Sequence, residues 1–343
     1  MMNSLKFYYI VPLYNIDPTG MNSKILPEGY KLISNTEFFE KYQPLFNIDL
    51  RDLAEDIQKI HAGQLYERVT ASYLLIKELN FKEIQIPYGL KREISDKVFA
   101  VEQNRIAAWI FALRLLSPGN IQVYQTYSIS YNFYYSFYSS IGTIVPNLEN
   151  FWNFGKEETG YLELYPLGKV NYQDLNIMIE KCNKNYSTMK LPLNYWLSYY
   201  QERDLINKLL RLATIWETTI LNDRHNELQY ALEIRGSYIL GKDTREIFKL
   251  AYQLRSELLH TGVVSKNLIK KINTCLNKSY NSTWATLFYF IKDVLDPITR
   301  QILLYFLNDT NETKRNLKQI AQHLDNNICA LYPYVDKIKN KEE

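Results

Sequence analysis

Cysteine is scarce, with three residues at 182, 275 and 329, far apart and in no C-x-x-C pair. Histidine is nearly as rare at four. Neither a disulfide framework nor a zinc site is therefore expected, and a reducing cytoplasm fits best. Glycine and proline are few, at 12 and 11 residues, which excludes collagen-like and low-complexity chains. Charge of one sign is also missing. Forty Lys and Arg against 37 Asp and Glu leave a formal charge of +3, too small to steer nucleic acid or membrane by net charge, so any anion site has to be local. Long apolar runs are absent as well: residues 106–116 are too few to span a bilayer, and residues 286–307 are interrupted by Lys292, Asp293, Asp296 and Arg300, so no membrane segment or membrane partner is expected. The first residues lack a basic stretch and a small-residue cleavage site, and residues 7–14 are too short an apolar run for an export signal. They read as a first strand.

What is present is a chain of 343 residues, 46% apolar and 22% charged, the balance of a globular protein with about two domains. Its 29 tyrosines, beside abundant Asn, Lys and Ile, are accounted for by coding bias as readily as by a stacking function. The expected fold class is α+β, an N-terminal mixed α/β domain over 1–185 followed by an all-α helical bundle over 186–343. In the first part, residues 5–13 and 30–34 are short β-branched or aromatic runs, and residues 81–87 alternate with the period of a half-buried strand. Residues 98–116 carry apolar positions at 99, 106, 109, 110, 113 and 116 and stop at Ser117-Pro118-Gly119, which predicts a helix. Residues 121–138 alternate large with small polar side chains, as a hairpin or two adjacent strands would. Their tyrosines could offer platforms to RNA or a protein partner, and an ordinary sheet core is the favoured reading.

After residue 186 the period changes to 3.6. Residues 193–202 and 204–221 form a first helical pair, the second with Leu205, Leu209, Leu212 and Trp216 on one stripe. Residues 227–240 form a third helix closed by Gly241. Asp243-Thr244-Arg245-Glu246 has capping-box form and opens a helix to about His260, ended by Thr261-Gly262. A long helix over 283–307, kinked at Pro297, and a charged helical tail over 311–337 complete the bundle.

On the helix after Thr244, Ile247, Ala251, Leu254 and Leu258 form the core stripe. Arg255 and His260 lie off it. A guanidinium and an imidazole suffice for RNA phosphodiester cleavage: Arg holds the non-bridging oxygens by charge-assisted hydrogen bonds, and His moves the proton of the attacking 2′-hydroxyl or of the leaving oxygen. No metal or other cofactor is required, and the product is a 2′,3′-cyclic phosphate. Five residues at about 100° put the two side chains some 140° apart on a straight helix. Either a frayed last turn or a two-fold dimer apposing two such helices would bring them together, and the dimer is favoured. Arg with His five residues on arises by chance about one time in seven in a chain of this composition, so context decides.

That context is Tyr252-Gln-Leu-Arg-Ser-Glu-Leu-Leu-His-Thr-Gly262, preceded by the helix bearing Trp216-Glu217 and by Leu232-Glu-Ile-Arg-Gly-Ser-Tyr-Ile-Leu-Gly241. From near Asn194 to the long helix after Thr283, the chain resembles the HEPN superfamily, particularly its Apea-like branch, where a glutamate-bearing helix and a helix ending in Y-x-x-R-S-x-x-x-H-G occur in this order. The resemblance implies a helical bundle that dimerises and, in active members, cleaves RNA without metal, often as a toxin or anti-phage effector. Arg255 and His260 match its two functional positions. His260 is followed by Thr261-Gly262, so the tyrosine that some toxin relatives use for regulatory modification is missing and that regulation is not carried over. Ser256 stands where Asn, Asp or His is common.

Beside this stand plainer readings. Arg255 could pair with Glu257 or Glu246 as a solvated helix residue, and His260 could act only as a dipole cap. Glu217 is read as a brace for Arg255 or Arg235, with Tyr252 and Ser256 in support. His61, His225 and His323 have no companions at ligand or triad spacing. Residues 1–185 carry no phosphate loop and no hydrolase motif and are read as a sensor of a phage or cellular trigger. The sequence thus predicts a metal-independent endoribonuclease, homodimeric through its C-terminal domain, with a pH profile set by imidazole protonation. The alternative is a non-catalytic RNA-binding or dimerisation module of the same fold.

Overall fold

The computed structural model describes residues 4–13, 26–46, 73–82, 88–117, 125–130, 133–138, 165–202, 204–222, 227–313 and 315–339, with single positions 16, 17, 19, 119, 121 and 123. The chain divides into two compact units, Met1–Glu180 and Lys181–Glu343, and is of the α+β class.

In the first unit, β1 (Ser4–Leu13), β2 (Lys31–Ser34), β3 (Tyr73–Lys82), β4 (Gln125–Ser130) and β5 (Phe133–Tyr138) form an antiparallel sheet in the order β2-β3-β1-β4-β5. Register fixes its two faces. Ile10 lies opposite both Ile76 and Tyr127, and Tyr8 opposite Ile129, so these side chains share one face, and α1 (Asn35–Tyr42) covers it with Phe38 and Tyr42. Ser34 caps α1 by accepting from the Glu37 amide at 3.1 Å, and the Tyr8 ring meets those of Tyr42 and Phe46 edge-on at 5.3 and 5.5 Å. Tyr127 and Ile129 are thus core residues, as the plainer reading of the tyrosine-rich strands anticipated. The β5 side chains, the tyrosine platform included, lie outside the described ones. The opposite face contributes Lys77, whose ammonium meets the buried Glu102 of α2 (Tyr88–Leu116) at 3.1 Å. Tyr30 donates to the same carboxylate at 2.5 Å, and Arg105 pairs with it.

Two expected elements shift. The strand expected at 81–87 is instead β3, ending at Lys82, and residues 83–87 lie outside the described ones. Leu74 and Ile76 fill one face of β3 and Leu75 the other, so this two-sided strand reads as an apolar run without alternation. Helix α2 starts ten residues before the expected 98, through a charged stretch, Lys91-Arg-Glu-Ile-Ser-Asp-Lys97, that hides its period.

The second unit is helical. The chain enters along α3 (Tyr172–Gln201), within which the division between the units falls. This helix runs through Pro192 and begins 21 residues before the start expected at 193. After it come α4 (Leu205–Thr218), α5 (Leu228–Leu240), α6 (Arg245–Thr261), α7 (Lys266–Cys275), α8 (Thr283–Tyr289), a π-helical turn (Phe290–Leu295), α9 (Asp296–Thr313) and α10 (Leu317–Lys339). The expected kink at Pro297 takes the form of that wide turn. It ends just before α9, leaving Pro297 at the second helical position, where a missing N–H costs little. The helix α7 was not anticipated. The expected capping box at Asp243 is also replaced: a 3-10 turn, Lys242–Thr244, leads into α6, and the N-cap Thr244 donates its hydroxyl to the Gly241 carbonyl at 2.7 Å instead of capping the helix.

Packing follows the apolar stripes. Leu209, Leu212 and Trp216 of α4 are buried, and the Trp216 ring meets Phe248 of α6 edge-on at 5.6 Å while its N–H donates to Thr299 of α9 at 3.0 Å. The α6 stripe includes Phe248, Ala251, Leu254 and Leu258. Gly236 lets α5 close on Phe248, because a Cβ there would stand 2.3 Å from the ring. No described helix is long and apolar enough to cross a membrane.

Candidate active site

The Trp216 anchor fixes the end of α4 against α6 and α9, which places the neighbouring Glu217 at the edge of the packed layer. Across from it, Arg255 emerges from α6 beside the buried Leu254. The two meet with Arg255 Nη2 2.5 Å from Glu217 Oε1, their side chains 25% and 33% exposed. This pair is half in solvent, so its strength is moderate and its geometry is held mainly by the helices on either side. Of the two partners open to Glu217 in the sequence, the structure selects Arg255.

Arg235 goes elsewhere. Its guanidinium, 1% exposed, makes a two-pronged contact with Asp325 of α10 at 2.8 and 2.7 Å and donates to the Ile220 carbonyl at 2.6 Å. The plainer partners of Arg255 are also engaged with other groups: Glu246 lies 3.6 Å from Lys249, and the Glu257 carboxylate accepts from the Ser265 amide at 2.7 Å and from its hydroxyl at 2.9 Å.

His260 occupies the last turn of α6, exposed, its imidazole making no hydrogen bond to any other described residue. The helix remains regular through Thr261 and is closed by Gly262, whose left-handed backbone (φ 69°) carries its amide back to the Leu258 carbonyl at 3.1 Å. A frayed last turn is therefore not what brings His260 toward Arg255. The turn is further held by the Thr261 hydroxyl, which donates to the Glu257 carbonyl at 2.7 Å, and by the Glu257–Ser265 contacts, which tie α6 to the first turn of α7. Leu259 and Val263 on either side of the imidazole are exposed at 50% and 70%.

Within one chain the structure thus brings Arg255 and Glu217 together and leaves His260 apart from both. Tyr252 and Ser256 are half-buried on α6, and neither hydroxyl makes a hydrogen bond among the described residues. His323 lies on α10, while His61 and His225 are outside the described residues. Among the described residues no three His, Cys, Asp or Glu side chains gather as a metal site. Cys182 is buried, and burial pushes its thiol up to about 12, which removes it as a nucleophile near neutral pH.

Sequence reasoning missed two features here. The Glu257–Ser265 clasp joins residues eight apart across an unanticipated turn, with no local signal. Helix α7 carried one: alternating lysines and apolar residues directly after the Gly262 stop. Comparison of the chain with family models, with curated proteins and with solved structures returned no match.

Proposed function

We propose that the helical unit is a metal-independent endoribonuclease of the HEPN kind, acting as a two-fold dimer. The observation that carries the reading is the Arg255–Glu217 pair at 2.5 Å, set one and a half turns from an exposed His260 on a helix whose end is tied down. A guanidinium oriented but still partly in solvent is ready to take a phosphate, and the Glu217 carboxylate fixes its fork until substrate arrives. Because five helical residues separate the two side chains by about 140°, the working site takes Arg255 and His260 from two apposed α6 ends. The exposed Leu259 and Val263 beside His260 suit such an apposition.

In this scheme Arg255 holds the non-bridging oxygens. His260 of one subunit removes the 2′-hydroxyl proton as that oxygen bonds to phosphorus. The 5′-oxygen leaves with a proton from the second imidazole, and the product is a 2′,3′-cyclic phosphate. Tyr252 and Ser256 line the same helix as supporting residues. The sheet unit serves as sensor for a phage or cellular trigger, and the setting is cytoplasmic defence or toxin action.

A second reading has its own observation. Arg255 is already matched by a carboxylate within its own chain, which suits a non-catalytic RNA-binding or dimer module. Labelled RNA incubated with purified protein in EDTA separates the two. The enzyme reading expects cyclic-phosphate ends from the wild type and a loss of about 100-fold or more in Arg255→Ala and His260→Ala. Cleavage that survives either change removes the assigned site.

A further inference from the structure

The chain has almost no net charge, so an anion site has to be concentrated somewhere, and the charge pattern after the candidate site shows where. From Leu258 to Lys292 the sequence contains five lysines, at 266, 270, 271, 278 and 292, and no Asp or Glu. Three of them, Lys266, Lys270 and Lys271, lie on α7, whose Leu268 and Ile272 are buried. At about 100° per residue the three span an arc of roughly 140° on the side away from that apolar pair, and all three are exposed, as is Lys278.

The ammonium groups of these four lysines make no hydrogen bond or ion pair with any described residue. The described arginines of the unit differ, each having a carboxylate within 4.0 Å. Unneutralised ammonium groups on one helix face release counterions when a polyanion binds, and this drives most backbone recognition of nucleic acids.

The flank of this face is aromatic. Asn273 of α7 accepts from Thr286 of α8 at 3.1 Å, which places α8 alongside. There the half-buried Tyr289 of α8 stacks at 4.6 Å on the half-buried Tyr280 that precedes the helix, and the half-buried Trp284 stacks on the buried Phe288 at 5.1 Å. Lysines bordered by partly exposed aromatic rings form the surface that takes unpaired bases along with their phosphates. At its other end α7 begins six residues after His260, joined to α6 by the Glu257–Ser265 clasp.

We infer that the outer face of α7, with Lys266, Lys270, Lys271 and Lys278 and the aromatic flank of α8, is a track for single-stranded RNA that leads the strand to His260. This inference rests on the endoribonuclease reading for its choice of RNA and deepens it by naming the substrate class as single-stranded.

The test measures binding of a labelled, single-stranded 2′-O-methyl RNA, which lacks the attacking hydroxyl and so reports binding without cleavage. Wild type is compared with Lys266→Ala/Lys270→Ala/Lys271→Ala over a range of salt. The three side chains are exposed, and an unchanged melting curve checks that the variant folds. The inference expects affinity to fall about tenfold or more, and the salt slope to drop by about 2 from three lost phosphate contacts at about 0.7 each. It also expects duplex RNA of the same sequence to bind more weakly. Unchanged affinity and slope in the variant overturn it, as does tighter binding of the duplex or lysine-dependent binding to phosphatidylserine vesicles in place of RNA. The two readings fail separately. Lysine-dependent binding by a protein that never cuts ordinary RNA retires the nuclease and keeps the track, whereas cleavage with lysine-independent binding retires the track and keeps the nuclease.

Discussion

Arg235 and Arg255 sit on adjacent helices and each faces a carboxylate, yet their surroundings differ. Arg235 is sealed within the bundle, 1% exposed, with both prongs on Asp325 and a third bond to the Ile220 carbonyl. Arg255 stands 25% exposed with one short contact to Glu217. Buried and fully bonded, the first is a tie between α5, α10 and the turn after α4, and removing it strands a carboxylate and a carbonyl. The second can exchange its carboxylate for another anion at little cost, because solvent already screens the pair. The contrast shows that partner type alone does not describe an arginine's situation; burial and the number of donors already committed separate these two.

The largest stability effect expected is therefore at Arg235. Arg235→Ala should lower the unfolding free energy of the helical unit by about 3 kcal/mol, read by denaturant titration, and a change below about 1 kcal/mol would erase the distinction drawn above. Next is Gly236→Ala, whose new methyl would press on the Phe248 ring from 2.3 Å. A loss of about 1–3 kcal/mol is expected from overpacking, with Phe248→Leu in the same chain restoring part of it. Glu217→Gln sharpens the comparison from the rim side: stability should move by no more than about 1 kcal/mol, while under the proposed nuclease function RNA cleavage should fall because the Arg255 fork loses its brace.

The smallest effect concerns the sheet unit and its pH response. Burial, together with the Glu102 carboxylate that it faces, raises the Tyr30 phenol pKa well above its ordinary value. The unfolded phenol gives up its proton near pH 10. Above that pH the unfolded chain binds fewer protons than the folded one, so stability contributed by this group is full below pH 10 and declines as pH rises. Tyr30→Phe should flatten that alkaline decline in the sheet unit and leave the helical unit unchanged, as followed by unfolding curves on either side of about pH 10.

Much of the helical unit was legible in its sequence because apolar residues recur at helical spacing and Gly241 and Gly262 mark the stops. The element types of the sheet unit were legible too, but β3 hid its position by burying both faces, and α2 hid its start under a charged stretch. For the site, the residue types and their order on α4 and α6 could be read, whereas the choice of Arg255 over Arg235 for Glu217 could not. That choice depends on Asp325, 90 residues from Arg235 in the chain, and no local pattern encodes it. The Asp243 cap failed for a similar reason: the local motif was present, but the chain enters α6 through a 3-10 turn that makes Thr244 the cap position.

The central claim is that the partly exposed Arg255 is kept for chemistry and the buried Arg235 for architecture. It is tested most directly by measuring Arg255→Ala twice, once for unfolding free energy and once for RNA cleavage in EDTA. The account predicts a stability change within about 1 kcal/mol together with a cleavage loss of about 100-fold or more. A stability loss as large as that of Arg235→Ala, with cleavage at the wild-type rate, would contradict it.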